Sequence, residues 1–174
     1  MKTKLAAFLV ASCGAVVMAC LPARGQPIPR FEAGFRGGAG QYDYSDDRTR
    51  TRGVFGAEVC AFCSGRYALF GGYSRFLPPG GSSHYQSADQ IGLGLRIQGR
   101  RQVRPFFDIG LAVGYSRFDS GIYARSTTTA GAELGGGVTF LVGPSLYIRP
   151  QVRLCAMSEV YVAASGEVGI GWRF

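Results

Sequence analysis

The sequence predicts an all-β protein: an eight-stranded antiparallel up-and-down transmembrane β-barrel with an N-terminal signal peptide. Three observations predict it. Apolar residues recur at every second position over eight stretches, while helical periodicity and helix caps are hard to find. The intervening positions carry glycine and both signs of charge, instead of the Lys, Thr, Ser and Asn that suit a water-facing strand. The chain also ends on "GEVGIGWRF", an apolar series that runs to the last residue, Phe174.

Each strand is read from its two faces. The first, Arg30–Tyr42, sets Phe31, Ala33 and Phe35 against Glu32 and Arg36. The second, Arg50–Cys60, sets Phe55, Ala57 and Val59 against Glu58. The third, Arg66–Leu77, is ambiguous, because its aromatics fall on both parities. The fourth, Tyr85–Gln98, sets Ile91, Leu93, Leu95 and Ile97 against Arg96 and Gln98. The fifth, Val103–Arg117, sets Val103, Phe107, Ile109, Leu111, Val113 and Tyr115 against Arg104, Asp108 and Ser116. The sixth, Thr127–Val142, sets Ala132, Leu134, Val138 and Phe140 against Glu133 and Thr139. The seventh, Ser145–Ala156, sets Leu146, Ile148, Val152 and Leu154 against Tyr147, Arg149, Gln151 and Arg153. The eighth, Val160–Phe174, sets Val162, Ala164, Val168, Ile170, Trp172 and Phe174 against Tyr161, Ser165, Glu167 and Arg173.

Two barrels of opposite polarity share this alternation. A soluble lipocalin-like barrel turns the apolar parity inward; a membrane barrel turns it outward. The polar parity favours the second. Glycine on a solvated face weakens a strand and gains nothing. Inside a narrow eight-stranded barrel it makes room for a long side chain from across the lumen. The charges on that parity are nearly balanced: Glu32, Glu58, Asp108, Glu133 and Glu167 with Arg36, Arg96, Arg104, Arg149, Arg153 and Arg173. Buried charge must be paired, so these residues are expected to form an ion-pair network that plugs the lumen.

The connections fit the same barrel. Ala61–Gly65, Gly99–Gln102 and Gly143–Pro144 are short, as periplasmic turns are. Asp43–Thr49, Pro78–His84 and Gly121–Ser126 are longer and polar, as outer loops are. Phe31, Tyr42, Tyr73, Phe76, Tyr115, Phe118, Tyr161, Trp172 and Phe174 lie near strand ends, where interfacial girdles form.

The front of the chain sets the compartment. Lys2 and Lys4 precede an apolar stretch from Leu5 to Ala19, too short for a spanning helix of about 20 residues. Ala23-Arg24-Gly25 offers a cleavage site, dividing the chain into a signal peptide, 1–25, and a barrel, 26–174. A rival reading makes Cys20 the lipidated residue of a lipoprotein box. Removing 1–25 takes away Lys2, Lys4 and Arg24, so every remaining basic residue is arginine. An exported chain does not meet chromosomes, so nucleic acid is not an expected partner. Cys60 and Cys63 suit a small disulfide in an oxidising compartment. One C-x-x-C and a single histidine, His84, make a poor zinc set, and no metal or cofactor is expected.

In its pattern and its ending the chain resembles the small eight-stranded outer-membrane barrels of the OmpA/OmpX type. The resemblance covers essentially all of 26–174. It implies that Val168, Ile170, Trp172 and Phe174 form the terminal signal read by the barrel-assembly machinery; Gly166 breaks the series one step earlier. It also implies location in the bacterial outer membrane, with membrane lipid and lipopolysaccharide as partners. The OmpA peptidoglycan-binding domain has no counterpart here, so that anchoring role is not expected. The expected function is non-enzymatic: envelope integrity or surface contact. Two alternatives stand beside it. One is a soluble exported lipocalin-like binder. The other is a lipid A-modifying enzyme using His84 with Ser82, Ser83, Ser87 or Asp89, although the His-x-Ser order of those enzymes is missing.

Overall fold

Alternating strands need partners on both edges, and here every strand finds them by closure. The computed structural model describes residues 31–44, 50–78, 85–119, 124–142, 144–158 and 161–174. The expected signal peptide with Cys20, residues 45–49 of the first expected outer loop, and His84 with Ser82 and Ser83 lie outside these residues. The strands are β1 (Glu32–Tyr44), β2 (Arg50–Ala61), β3 (Tyr67–Phe76), β4 (Tyr85–Gln98), β5 (Val103–Asp119), β6 (Ala124–Val142), β7 (Leu146–Met157) and β8 (Tyr161–Arg173). They form one closed barrel in sequence order, with β1 pairing antiparallel to both β2 and β8.

The register fixes the dimensions. Following paired residues from Glu32 through Cys60, Phe70, Gly94, Gly110, Glu133, Cys155 and Ala163 returns to β1 at Tyr42. The stagger from Glu32 to Tyr42 over eight strands tilts them by about 40° and gives a backbone radius of about 8 Å. A lumen that narrow holds side chains and little else.

Polarity follows the membrane pattern. Leu111 is 73% exposed and Val152 62%, whereas Arg96 is 0% exposed and Glu32 2%. The soluble lipocalin-like alternative is therefore overturned: the isoleucines and valines of β4 and β8 face outward, and the six arginines expected in the lumen face the axis. The ambiguous third strand also resolves. Ala68, Phe70, Ser74 and Phe76 are buried, while Tyr67 is exposed. Phe76 thus joins the interior and not an aromatic girdle, because its parity matches that of Phe70. Phe31, Trp172 and Phe174 are exposed at one end of the wall, and Tyr115 towards the other.

The outer ends differ from expectation. Asp43 and Tyr44 extend β1, and Ala124–Ser126 belong to β6, so the connection expected at Gly121–Ser126 is shorter. Pairing continues through Phe118↔Arg125 to Asp119↔Ala124, across the β-branched run Thr127–Thr129. On its other side β6 pairs with β7 only from Gly131↔Met157 inward, apart from Ser158 N–H donating to Ala130 C=O at 2.9 Å. The β5–β6 hairpin therefore stands well beyond β7, at about 2.5 Å of height per residue.

The seam between β8 and β1 depends on close backbone approach. A Cβ at Gly171 would press on the Ala33 carbonyl oxygen, on Gly34 Cα at 2.6 Å and on the Tyr147 hydroxyl at 2.5 Å. Gly171→Val is expected to abolish the fast-migrating folded band on unboiled gels. Gly166→Ala, whose Cβ meets nothing within 4 Å, is expected to keep it.

Candidate functional site

The inward parity builds a charged column along the axis. All eleven residues expected in it are buried: five carboxylates and six arginines. Glu58 on β2 is the hub. Its Oε1 accepts from Arg96 Nη1 at 3.0 Å and from Arg149 Nη1, and its Oε2 lies 3.6 Å from Arg36 Nη1 and 3.5 Å from Arg153 Nη1. Arg96 also grips Asp108 in a two-pronged fork, Nε to Oδ1 and Nη2 to Oδ2, both at 2.7 Å. This planar match is the geometry for which arginine is suited and lysine is not.

Five further groups tie into the hub. Towards the Phe31 end, Glu32 accepts from Arg149 Nη2 at 2.5 Å and lies 3.2 Å from Arg173 Nε and 3.9 Å from Arg104 Nη1. Glu133 pairs with Arg153 Nη2. Glu167 lies 3.1 Å from Arg36 Nε and accepts from Ser165 Oγ at 2.6 Å. Thr139 Oγ1 accepts from Arg149 Nε at 2.8 Å, and Ser74 Oγ from Arg36 Nη2 at 2.6 Å.

Aromatic faces pad the cations. The Arg96 guanidinium lies 4.3 Å from the Phe106 ring centre, and that of Arg149 lies 4.4 Å from the Tyr147 ring centre. Glycine supplies the space: a Cβ at Gly92 would strike the Glu133 carboxylate, and one at Gly72 would come within 3.1 Å of Arg36 Nη2.

Both ends of the column are covered. At the Phe31 end the β2–β3 turn folds inward, held by a Cys60–Cys63 disulfide. Phe62 adopts a left-handed φ of 61° there, and its carbonyl accepts from Gly65 N–H at 3.0 Å. The Cys63 carbonyl accepts from Gln98 Nε2 at 2.7 Å and Arg104 Nη1 at 3.2 Å. Glu32 lies near both sulfurs, but the sulfurs are bonded to each other and Glu32 is engaged by arginines, which leaves no ligand set. At the other end Val54, Phe76, Ala88, Ala112, Cys155, Met157 and Ala163 form a buried apolar cluster. Two cavities within the lumen each have a volume of about 10 Å3, room for about one water molecule.

Comparison with known proteins identifies the architecture. The structure superposes on Neisserial surface protein A with a TM-score of 0.67 and 17% identity, over 82% of this chain and 95% of that one. Ail, the attachment invasion locus protein of Yersinia pestis, matches with a TM-score of 0.62 and 14% identity, over 84% and 97%. The N-terminal β-barrel domain of Pseudomonas aeruginosa OprF matches at 0.59 and 13%, over 82% and 97%. The fold is that of the small eight-stranded outer-membrane barrels. No family model matches the chain, and neither does any curated protein.

In this outer-membrane barrel fold the terminal series lies on the outward wall. Val168, Ile170, Trp172 and Phe174 are exposed on β8. Ile170 stands opposite Phe35, and Phe174 N–H donates to the Phe31 carbonyl at 2.8 Å. The sequence reading missed Arg52, which is also buried in the lumen. Its parity matches Glu58 on β2, so the alternation signal was present. It also missed the apolar outer cluster, because Phe76 sat in the ambiguous strand and Cys155 and Met157 carry no charge to mark them.

Removing one member of a buried pair leaves the others uncompensated. Glu58→Gln faces four arginines with no charge and is expected to lower stability by about 3–5 kcal/mol. Urea unfolding in detergent micelles, followed by tryptophan emission from Trp172, measures this.

Proposed function

We propose that the chain is a non-catalytic protein of the bacterial outer membrane, closed to solutes by its ion-pair column, that serves envelope integrity and surface contact. The observation that carries the reading is the polarity of the wall. A largely apolar exterior faces outward on every strand, and most of the strand charge is enclosed and paired within. Lipid is the environment that such an exterior requires. The known structures it is similar to are outer-membrane barrels, which supports the location.

Three features support a closed barrel: the inward-folded β2–β3 turn, the charged column and the apolar outer cluster. The extended β4–β5–β6 ends favour surface contact as the working role. They raise a small sheet above the wall, with Arg117 and Arg125 exposed on it. Two of the similar structures are named for the cell surface or for attachment. His84, on which the enzymatic alternative turns, lies outside the described residues. Recognition of Val168, Ile170, Trp172 and Phe174 by the barrel-assembly machinery belongs to this reading too.

Planar-bilayer recording tests closure: the full chain is expected to give no steady conductance, and a large steady current would overturn the plug. Deleting Phe174 tests the assembly signal. It is expected to reduce outer-membrane insertion in cells at least several-fold while leaving refolding into detergent intact, read by the unboiled-gel shift in both settings.

A further inference from the structure

The outward wall is mainly apolar along its strands, and an ion pair stands on it. Arg75 on β3 and Asp89 on β4 are register partners, flanked in the same row by Phe55 and Tyr115. Arg75 Nε lies 3.8 Å from Asp89 Oδ1, with the two side chains 36% and 29% exposed. The Tyr73 hydroxyl donates to the same Oδ1 at 2.5 Å. These groups point away from the lumen, so the ion-pair column does not account for them. Arg117 is exposed on the same face of β5, two residues beyond Tyr115.

Directly below this cluster the wall is hollow. A groove of about 560 Å3 runs down β3, lined by Ala57, Val59, Leu69, Gly71, Ile91 and Leu93, with Tyr73 at its upper end. Its cause is a size mismatch between register partners. Gly71 sits between Val59 and Leu93, two branched side chains with nothing between them to level the surface. The groove begins at Phe31, Ala61 and Phe62 by the β2–β3 turn; its upper stretch, from Leu69 to Tyr73, spans about 10 Å, close to half of an apolar band about 25 Å tall.

A long apolar trough capped by an arginine-bearing polar cluster has the chemistry of an amphiphile site. We propose that this wall seats one acyl chain of a phosphorylated outer-leaflet glycolipid of the lipid A class, with its phosphate at Arg75. The proposal rests on the outer-membrane reading, which puts the Arg75 end at the outer leaflet. Arginine forks onto phosphate oxygens, and Asp89 holds the guanidinium at the groove mouth. Tyr73 is shared between the trough and the cluster, so it aligns head with tail. The chain fills a hollow that ordinary disordered lipid would fill less completely.

The test uses the full chain refolded into phosphatidylcholine nanodiscs doped with bis-phosphorylated, hexa-acylated lipid A, released into detergent and weighed by native mass spectrometry. The unmutated protein is expected to retain one lipid A. Gly71→Leu fills the trough; its Cβ would lie 3.6 Å from Leu93 Cδ1 and 3.7 Å from Val59 Cγ2, so the strand is not strained. Gly71→Leu and Arg75→Gln are each expected to cut retention about tenfold, a loss of about 1.4 kcal/mol. Gly166→Leu on another part of the wall is the control and is expected to change nothing. Equal retention by all four proteins overturns the site. Equal retention of phosphatidylglycerol, doped in place of lipid A, overturns the choice of lipid A. Failure of the unmutated protein to enter nanodiscs overturns instead the membrane reading, so the two failures are distinguishable.

Discussion

One carboxylate surrounded by four guanidinium groups sets the terms for the rest of this barrel. Glu58 sits where Arg36, Arg96, Arg149 and Arg153 converge, reaching it from three other strands, β1, β4 and β7. A wall that faces lipid leaves those arginines no route to water, since a guanidinium cannot snorkel through its own barrel. They are tolerable inside only because each meets at least one carboxylate. Removing any one charge exposes the cost of burying the others. The apolar exterior and the charged interior are thus a single arrangement, and neither half is stable without the other.

The size of the lumen follows from the same constraint. An eight-stranded barrel of about 8 Å backbone radius cannot carry a large side chain at every inward position. Glycines alternate with the long residues so that Tyr147 lies against Gly34 and Gly171, and Glu133 against Gly92. Packing and electrostatics are coupled here. A larger residue at Gly92 would displace the carboxylate that neutralises Arg153, and so would act as a charge mutation as well as a steric one.

Alternation made most of this legible. Wherever one parity was clearly apolar, as in β4, β7 and β8, the sequence identified the lumen residues by face alone. It did not reveal which residues meet. Glu58 and Arg149 are 91 positions apart, and their encounter depends on the barrel's stagger, which no local pattern encodes. β3 was opaque because Tyr67, Phe70, Tyr73 and Phe76 populate both faces, and a small barrel accepts aromatics on either. The hairpin length was opaque for another reason. Ala124–Ser126 reads as part of a polar loop, and pairing with β5 places it in β6 instead. The groove on β3 follows from Gly71 standing beside Val59 and Leu93, which is again register and not sequence.

The interior is built in two tiers, and this bears on how the barrel could ever open. Around the hub the barrier is electrostatic: a solute must displace arginines from carboxylates that hold them on several sides. Beyond it, Phe76, Met157 and their neighbours close the lumen with apolar contacts that carry no charge to be attracted away. In the closed barrel proposed above, an ion drawn into the first tier meets the apolar second, and an apolar solute in the second meets the charged first. In a closed antiparallel barrel each strand that leaves breaks two ladders at once, so strand separation is a costly route around either tier. The closure proposed for this protein therefore rests on its backbone pairing as much as on the residues that fill it.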